Sequence, residues 1–248
     1  MVKGLEVFRD HFQHYLDQYV LIGGAACDIL MSEASLEFRV TKDLDIVLLI
    51  DVLDSAYISM FWEFIRLGDY QIRFSMSQQH SYRFSHPKNN SFPKMIELFS
   101  KQPNFLKIDD KDHLVKIESD DDFSDLSAIL LDIDYYNLCI DGKFEKSGLS
   151  LVRAEYLIPL KAKAWIDLNQ RKAEGIHVDS MDIRKHKYDI FRLFQIVDPE
   201  DKVSLPLKIR NDLTRFLDEM KNEELDLKNI GIPDEKKEII ESIFKFYN

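Results

Sequence analysis

The sequence predicts an α+β protein, in which a mixed β-sheet flanked by helices is followed by a C-terminal helical bundle. Two observations favour this class. As far as Arg153, short apolar runs alternate with turn residues and a few amphipathic segments, which is typical of strands joined by loops and helices. Beyond Arg153, apolar residues recur at helical spacing between Gly, Pro and Asp breaks. We therefore expect two domains, at residues 1–153 and 154–248.

The first elements surround a pair of glycines. Apolar residues at helical spacing predict a helix over residues 5–19. The run Tyr19-Val-Leu-Ile predicts a buried strand that ends in a tight turn at Gly23-Gly24, and a short helix follows over residues 25–31. A nearly continuous apolar run then predicts a central strand over residues 43–50.

The remaining elements follow from alternation, turn residues and helical spacing. Before Arg153 we expect a helix over residues 55–67, strands over 71–75, 81–85, 94–99 and 135–140, the last closing a hairpin at Asp141-Gly142, and loops around a short strand at 114–117 in the acidic segment 109–125. The last part of the chain predicts four helices, over residues 154–172, 181–196, 205–222 and 235–247.

The composition restricts the classes of protein and partner. Cys27 and Cys139 form no ligand pair, which is typical of a reducing compartment. No apolar run reaches the roughly 18 residues of a membrane span, and the N-terminus lacks the apolar core of a secretory signal, so we expect a cytoplasmic protein with no membrane partner. The net charge of −11 disfavours non-specific binding of polyanions, although the Lys/Arg-rich stretch 161–187 can form a local basic patch.

A glycine pair marks the first candidate binding feature. Gly23 and Gly24 end a predicted strand immediately before a predicted helix. Glycines let backbone N–H groups approach a phosphate closely, and the N-terminus of a helix favours negative charge. Taken alone, such a pair is more often a simple tight turn.

Paired carboxylates mark the second feature. Asp43 and Asp45 are two residues apart at the start of the predicted central strand, so both side chains point to the same face. Neighbouring like charges repel unless a cation lies between them, and magnesium prefers oxygen ligands. The alternative interpretation is a solvated strand end.

A third carboxylate completes the candidate set. Glu97 lies inside the apolar strand predicted over residues 94–99, where an unpaired charge is costly. Asp132 and Asp134, in the alternating run 129–136, are alternatives for the third position. We favour Glu97 because its order in the chain and its flanking residues fit better.

These features together resemble the nucleotidyltransferase superfamily of the DNA polymerase beta-like fold. The resemblance consists of a strand ending in Gly-Gly, then Arg39-Val-Thr41-Lys42-Asp43-Leu-Asp45, then an isolated acidic residue. The Arg-x-Thr-Lys-Asp-x-Asp form resembles the bacterial AbiEii-type and related small nucleotidyltransferases, some of which are toxins of toxin–antitoxin pairs. The segments around Lys161 and from Asp182 to Leu193 are similar to that group's helical Lys and Lys-x-x-Asp motifs.

The resemblance implies a nucleotidyltransferase-like sheet and transfer of an NMP group from an NTP. It implies that Asp43, Asp45 and Glu97 hold Mg²⁺, or Mn²⁺ in its place, with Glu97 holding a second ion or accepting a proton from the acceptor hydroxyl. It also implies a set of nucleotide-binding residues: Gly23, Gly24, Arg39, Thr41, Lys42, Lys161 and Asp189. Among them, Lys161 is the first candidate for a cation on the triphosphate, and Asp189 either orients Lys161 or binds the nucleotide.

Two departures from the pattern, and several alternatives, stay open at this point. The spacing from Gly24 to Asp43 is long, and Gly24 stands where many members have Ser. The acceptor can be tRNA, a protein or a small molecule, and a cognate antitoxin can be a partner. The alternatives to an enzyme are an inactive binding module of the same fold, or an unrelated α+β protein in which Asp43, Asp45 and Glu97 do not converge.

Overall fold

A seven-stranded mixed sheet forms the centre of the molecule. The computed structural model describes residues 2–49, 52–74, 81–101, 129–233 and 235–248. Within them the strands are β1 Tyr19–Ile22, β2 Asp43–Leu48, β3 Gln71–Phe74, β4 Ser81–Ser85, β5 Met95–Phe99, β6 Lys143–Lys146 and β7 Leu149–Val152, in the spatial order β3-β4-β5-β2-β1-β7-β6. Strand β2 is therefore central, as predicted, and it runs parallel to β5 and antiparallel to β1.

Eight α-helices accompany the sheet within the described ranges. They are α1 Leu5–Phe12, α2 Gly23–Glu33, α3 Ser55–Gly68, α4 Ile133–Asp141, α5 Ala154–Ala173, α6 Ser180–Phe194, α7 Leu207–Asn222 and α8 Lys236–Tyr247. The predicted α+β class is confirmed, and so are the four helices after Arg153. No helix in the described part of the chain is long and apolar enough to cross a membrane.

An aromatic cluster covers one face of the sheet. Phe8 and Phe12 of α1 pack against Tyr19 of β1, with ring centroids 5.4 Å and 6.2 Å apart. Phe61 of α3 packs against Phe84 of β4 at 5.3 Å. Because successive strand residues point to opposite faces, the neighbour of Phe84, Arg83, points away from this cluster. The face opposite the aromatic cluster is therefore the one that receives charged side chains.

The helices after Arg153 pack on each other and on the sheet-forming part of the chain. Trp165 of α5 lies 5.3 Å from Phe216 of α7, and the Tyr247 hydroxyl at the end of α8 donates a 2.6 Å hydrogen bond to the Glu155 carbonyl. One hydrophobic cluster contains buried residues from both sides of Arg153. The change from strands to helices falls at the predicted place, and the division into two domains there stays a prediction.

The first helix is shorter than its apolar spacing predicts. Helix α1 ends at Phe12, and the segment up to β1 forms tight turns, in which Tyr15 N–H bonds to the Phe12 carbonyl and Gln18 N–H to the Tyr15 carbonyl. Tyr15 still packs on Tyr57, with ring centroids 5.8 Å apart. The core contact, and not a continued helix, accounts for the apolar residues at these positions.

The strand predicted over residues 135–140 is wrong, because this segment is helix α4. The side chain of Asp132 caps the helix by accepting from the Asp134 N–H at 3.0 Å. Gly142 ends the helix and does not turn a hairpin, since its N–H bonds to the Leu138 carbonyl. The hairpin comes afterwards, between β6 and β7, with Gly148 at φ 74° in its turn. The strand predicted at residues 114–117 lies outside the described residues.

Candidate active site

Three of the predicted site residues converge on the sheet face opposite the aromatic cluster. Asp45 of β2 lies directly beside Glu97 of β5, and Glu97 lies directly beside Arg83 of β4. Residues paired across neighbouring strands point to the same face, and so does Asp43, two positions before Asp45. The structure therefore brings the three carboxylates together on one face of the sheet, next to an arginine that the sequence did not single out. We call Asp43, Asp45, Glu97 and Arg83 the carboxylate row.

Asp43 and Asp45 have no hydrogen-bond or salt-bridge partner among the described residues. Asp45 is nonetheless only 8% exposed. Burial, and then the Glu97 and Asp43 carboxylates, raise the pKa of Asp45 to about 7. Burial and Glu97 raise the pKa of Asp43 as well. Two adjacent carboxylates without donors form a site with an excess of negative charge, which a cation would relieve.

Glu97, by contrast, has a partner. The Arg83 Nε donates to Glu97 Oε1 at 2.7 Å, and Nη2 lies 2.6 Å from the same oxygen. Both side chains are largely buried. Among the described residues, no three His, Cys, Asp or Glu side chains stand in an arrangement that would hold a metal ion. Asp43 and Asp45 are therefore the two carboxylates of the site without a described donor, whereas Glu97 is held by Arg83 through Oε1.

Gly23 brings the start of α2 against Asp45. Its φ of +66° is in the left-handed region, and a Cβ at this position would lie 1.8 Å from Asp45 Oδ2. Both conditions require glycine. Within the part of the chain that the structure describes, no side-chain hydrogen bond caps the N-terminus of α2, so its first backbone N–H groups have no side-chain acceptor there. A helix start with open N–H groups thus lies beside the paired carboxylates.

Gly24 makes the corresponding contact with the loop that precedes β2. A Cβ at Gly24 would lie 2.5 Å from Thr41 Oγ1 and 3.4 Å from Arg39 Nη2. The Thr41 hydroxyl therefore occupies the space that a serine at position 24 would need, which gives the departure at Gly24 a structural explanation. The long spacing from Gly24 to Asp43 is taken up by α2, which extends to Glu33, and by the loop that follows it.

A buried carboxylate, Asp189 of α6, collects three cations beside this loop. It accepts from Arg39 Nε at 3.0 Å and Nη2 at 2.8 Å, from Lys161 Nζ at 3.1 Å, and from Arg192 Nη1 at 3.4 Å. Asp189 is fully buried. Burial alone raises its pKa, but the Lys161 ammonium and the Arg39 guanidinium lower the pKa of Asp189 to about 2. We call these four residues the Asp189 cluster.

Lys161 is enclosed in that cluster. It is 2% exposed, and its ammonium donates to Asp189. Its charge nevertheless acts on the carboxylate row, since Lys161 lowers the pKa of Asp45 against the stronger effects that raise it. Lys185 of α6 has the same direction of effect on Asp43 and Asp45, although its ammonium pairs with Asp182 at 2.7 Å. Lys42 is exposed beside Asp43 in sequence.

The alternative third carboxylates lie elsewhere. Asp132 and Asp134 are at the start of α4, where Asp132 forms an ion pair with Lys208 of α7. Neither contributes to the raised pKa of Asp43 or Asp45. Glu97 is therefore the candidate that the structure brings to the paired aspartates.

Sequence reasoning did not single out Arg83 or Arg192, and it included Lys185 only within the motif segment from Asp182 to Leu193. Arg83 lies in a strand that the alternation does predict, but its pairing with Glu97 depends on the register of β4 against β5. Arg192 is one helical turn after Asp189, and this i,i+3 spacing is the one local signal that points to it.

Comparisons with known proteins give one structural similarity to report. No family model and no curated protein matches the chain. The chain has a similarity to the crystal structure of the Megavirus polyadenylate synthase, at 11% sequence identity and a TM-score of 0.40. That similarity covers 97% of this chain and 47% of the other, so the chain spans about half the length of that protein. The roles of individual residues rest on the geometry described above.

Proposed function

We propose that the chain is a nucleotidyltransferase that uses Mg²⁺, or Mn²⁺ in its place, to move an NMP group from an NTP to a hydroxyl or phosphate acceptor. One observation carries the proposal: Asp43 and Asp45 project side by side, without a described donor, against the glycine turn that starts α2. Oxygen ligands of this kind fit a hard divalent cation that also binds phosphate.

In this proposal Asp43 and Asp45 hold the ion, which supplies positive charge to the phosphates of the bound nucleotide. The open backbone N–H groups at the start of α2 donate to a phosphate, and the helix N-terminus favours its negative charge. Gly23 and Gly24 allow the close approach because neither carries a side chain. The Thr41 hydroxyl, packed on Gly24, presents a further donor at the same turn.

The Asp189 cluster supplies the positive field behind that turn. Three cations surround one carboxylate, which leaves a net formal charge of +2 in a buried place. Arg39 extends from the loop that carries Thr41, so the ion pair with Asp189 also fixes this loop on α6. Lys161 acts through its field and Asp189 orients it. Charge neutralisation and positioning are the main requirements of phosphoryl chemistry.

The finer assignments rest on the sequence resemblance. From this resemblance we also propose that the chain belongs to the AbiEii-type toxin group and that a cognate antitoxin is a partner. The proposed acceptor is tRNA, a protein or a small molecule. The net charge of −11 disfavours tRNA as the acceptor, whereas the basic stretch 161–187 favours it.

A second candidate function is a binding module that keeps the fold without the reaction. The observation that favours it is the Arg83–Glu97 pair, because a carboxylate neutralised by arginine is a poor metal ligand. The presence of both Asp43 and Asp45 favours the enzyme.

Calorimetric titration with ATP, GTP, CTP and UTP, with and without Mg²⁺, separates these functions. We expect Mg²⁺-dependent binding of at least one nucleotide, and loss of at least tenfold in affinity in Asp43→Asn and in Asp45→Asn. Asp134→Asn is the matched control, since this aspartate was a candidate from sequence but lies on α4. Absence of nucleotide binding by folded wild-type protein would rule out the enzyme and leave the binding module.

A further inference from the structure

A guanidinium already stands beside the third carboxylate of the row. Arg83 and Glu97 are directly paired residues of β4 and β5, so the strand register fixes the Arg83 backbone beside that of Glu97. Two of its nitrogens lie 2.6 Å and 2.7 Å from Glu97 Oε1. The two side chains are 17% and 6% exposed, which leaves the arginine little room to turn into solvent.

The formal charges of the row match one divalent ion. Counted by themselves with every carboxylate ionised, Asp43, Asp45 and Glu97 carry three negative charges and Arg83 carries one positive charge, which leaves −2. Lys161 and Lys185 add a positive field from outside the row, where each is paired with its own aspartate. One divalent cation between Asp43 and Asp45 neutralises the row. A second ion at Glu97 would sit within a few ångströms of the guanidinium, in a largely buried place where like charges repel strongly. Both Arg83 contacts are made to Oε1, so an ion bound at the other oxygen of Glu97 would lie next to the guanidinium and weaken this short, charge-assisted pair.

The arrangement of the possible ligands also favours a single ion. The paired aspartates have no described donors, whereas Glu97 is engaged. No three metal-ligating side chains of the described residues are arranged around a common point. The two-ion arrangement that the sequence resemblance implies needs Glu97 as an open ligand, and this chain uses it as an ion-pair partner.

We propose that this site works with one divalent ion, held by Asp43 and Asp45, and that the Arg83 guanidinium takes the place of a second ion at Glu97. The proposal rests on the proposed function, since it assumes that the site binds metal and nucleotide. It makes Arg83 a positioning residue, which keeps Glu97 neutralised and fixed next to Asp45.

The number of ions bound tests this directly. Mn²⁺ is titrated by electron paramagnetic resonance into the protein saturated with a non-hydrolysable analogue of the nucleotide that the calorimetric screen identifies. We expect one bound Mn²⁺ per wild-type chain, with no exchange broadening between ions. In Arg83→Gln, which frees Glu97, we expect a second Mn²⁺ and the broadening of two nearby ions. Arg83→Lys keeps the positive charge and is expected to bind one.

A companion variant separates the two carboxylate roles. Glu97→Gln is expected to keep one Mn²⁺ per chain, while Asp45→Asn is expected to lose it. Two coupled Mn²⁺ ions in wild-type protein, or one ion in folded Arg83→Gln, would overturn the single-ion proposal while leaving the nucleotidyltransferase proposal standing. Absence of any bound Mn²⁺ in folded wild-type protein would instead overturn the proposed function. The wild-type count decides the matter even if Arg83→Gln fails to fold.

Discussion

Two buried charged regions lie close together in this molecule, and they differ in how their charges are met. In the Asp189 cluster, one carboxylate accepts hydrogen bonds from Arg39, Lys161 and Arg192, and its pKa is lowered to about 2. In the carboxylate row, Asp45 is buried without a described donor, and burial and Glu97 raise its pKa to about 7.

The difference separates a preformed structural contact from a site that awaits a ligand. A buried charge with a full set of partners holds elements together, and here it joins the loop before β2 to α5 and α6. A buried charge without partners costs stability, and such a cost is typical of functional sites. The glycine turn joins both regions, because Gly23 packs on Asp45 and Gly24 packs on Thr41 and Arg39.

The largest expected effect on stability comes from a substitution in the Asp189 cluster, whose charges are paired. Asp189→Asn leaves three buried cations without their counter-charge, and we expect it to lower the free energy of unfolding by about 3–5 kcal/mol. Urea denaturation measures it. Asp218→Asn is the matched control, since Asp218 also pairs with a basic residue at i+3, Lys221, but is exposed. This control is expected to cost about 0–1 kcal/mol. Equal losses in the two variants would remove the contrast between the regions.

The next largest effect is the pH dependence of stability that arises from the carboxylate row, where Asp45 has no described donor. The pKa of Asp45 is higher in the folded than in the unfolded state, so the folded state binds the proton more tightly. Its contribution to stability is fully present below about pH 4 and is lost as the pH rises to about 7. We expect the metal-free protein to lose roughly 3 kcal/mol of unfolding free energy from this group across that window.

Urea denaturation at a series of pH values, in the presence of a chelator, measures this loss. Asp45→Asn is expected to remove most of the slope, and Asp134→Asn is expected to keep it. The same pH dependence of stability in all three proteins would show that Asp45 is not the group with the raised pKa.

A smaller effect tests the contact between the turn and Asp45. Gly23 and Gly175 both have positive φ, but a Cβ at Gly175 has no neighbour within 4 Å, whereas one at Gly23 meets Asp45 Oδ2. Replacement by alanine should therefore cost about 1 kcal/mol at Gly175, from backbone strain alone, and about 2 kcal/mol more at Gly23. Thermal denaturation of the two variants measures the difference. Equal costs would mean that Gly23 does not pack on Asp45.

The smallest effect tests the contact between the turn and the loop. Gly24→Ala brings a methyl group against the Thr41 hydroxyl, and Thr41→Ala removes that hydroxyl. The two changes are expected to couple, with the double variant about 1 kcal/mol more stable than the sum of the single variants predicts. A double-mutant cycle measures the coupling. Additive effects would mean that Thr41 does not fill the space over Gly24.

Local periodicity was enough to predict most helices and strands, and to predict the paired aspartates and the glycine turn of the site. The spacing of Asp43 and Asp45 on one strand, and the position of Gly23-Gly24 between a strand and a helix, follow from neighbours in sequence. The strand predicted over residues 135–140 was wrong because Tyr135, Leu138 and Cys139 also fit a helical face, and the cap at Asp132 was not taken into account.

The rest of the site depends on contacts that are distant in sequence. Arg39 pairs with Asp189, 150 residues away, and no local pattern indicates that pairing. The Arg83–Glu97 pair depends on sheet register, which is set by packing and not by either strand alone. The sequence could therefore identify the candidate carboxylates, but it could not predict which of them would be paired with a basic side chain.

The measurement that tests nucleotidyl transfer most directly compares labels on the two ends of the triphosphate. The protein is incubated with Mg²⁺, with RNA, protein or small-molecule fractions of a cell extract, and with the bound NTP labelled at either the α- or the γ-phosphate. We expect the α-label, and not the γ-label, to move to one acceptor fraction, and to stop moving in Asp43→Asn and Asp45→Asn. Transfer of the γ-label, or α-label transfer that both variants retain, would contradict the proposed reaction.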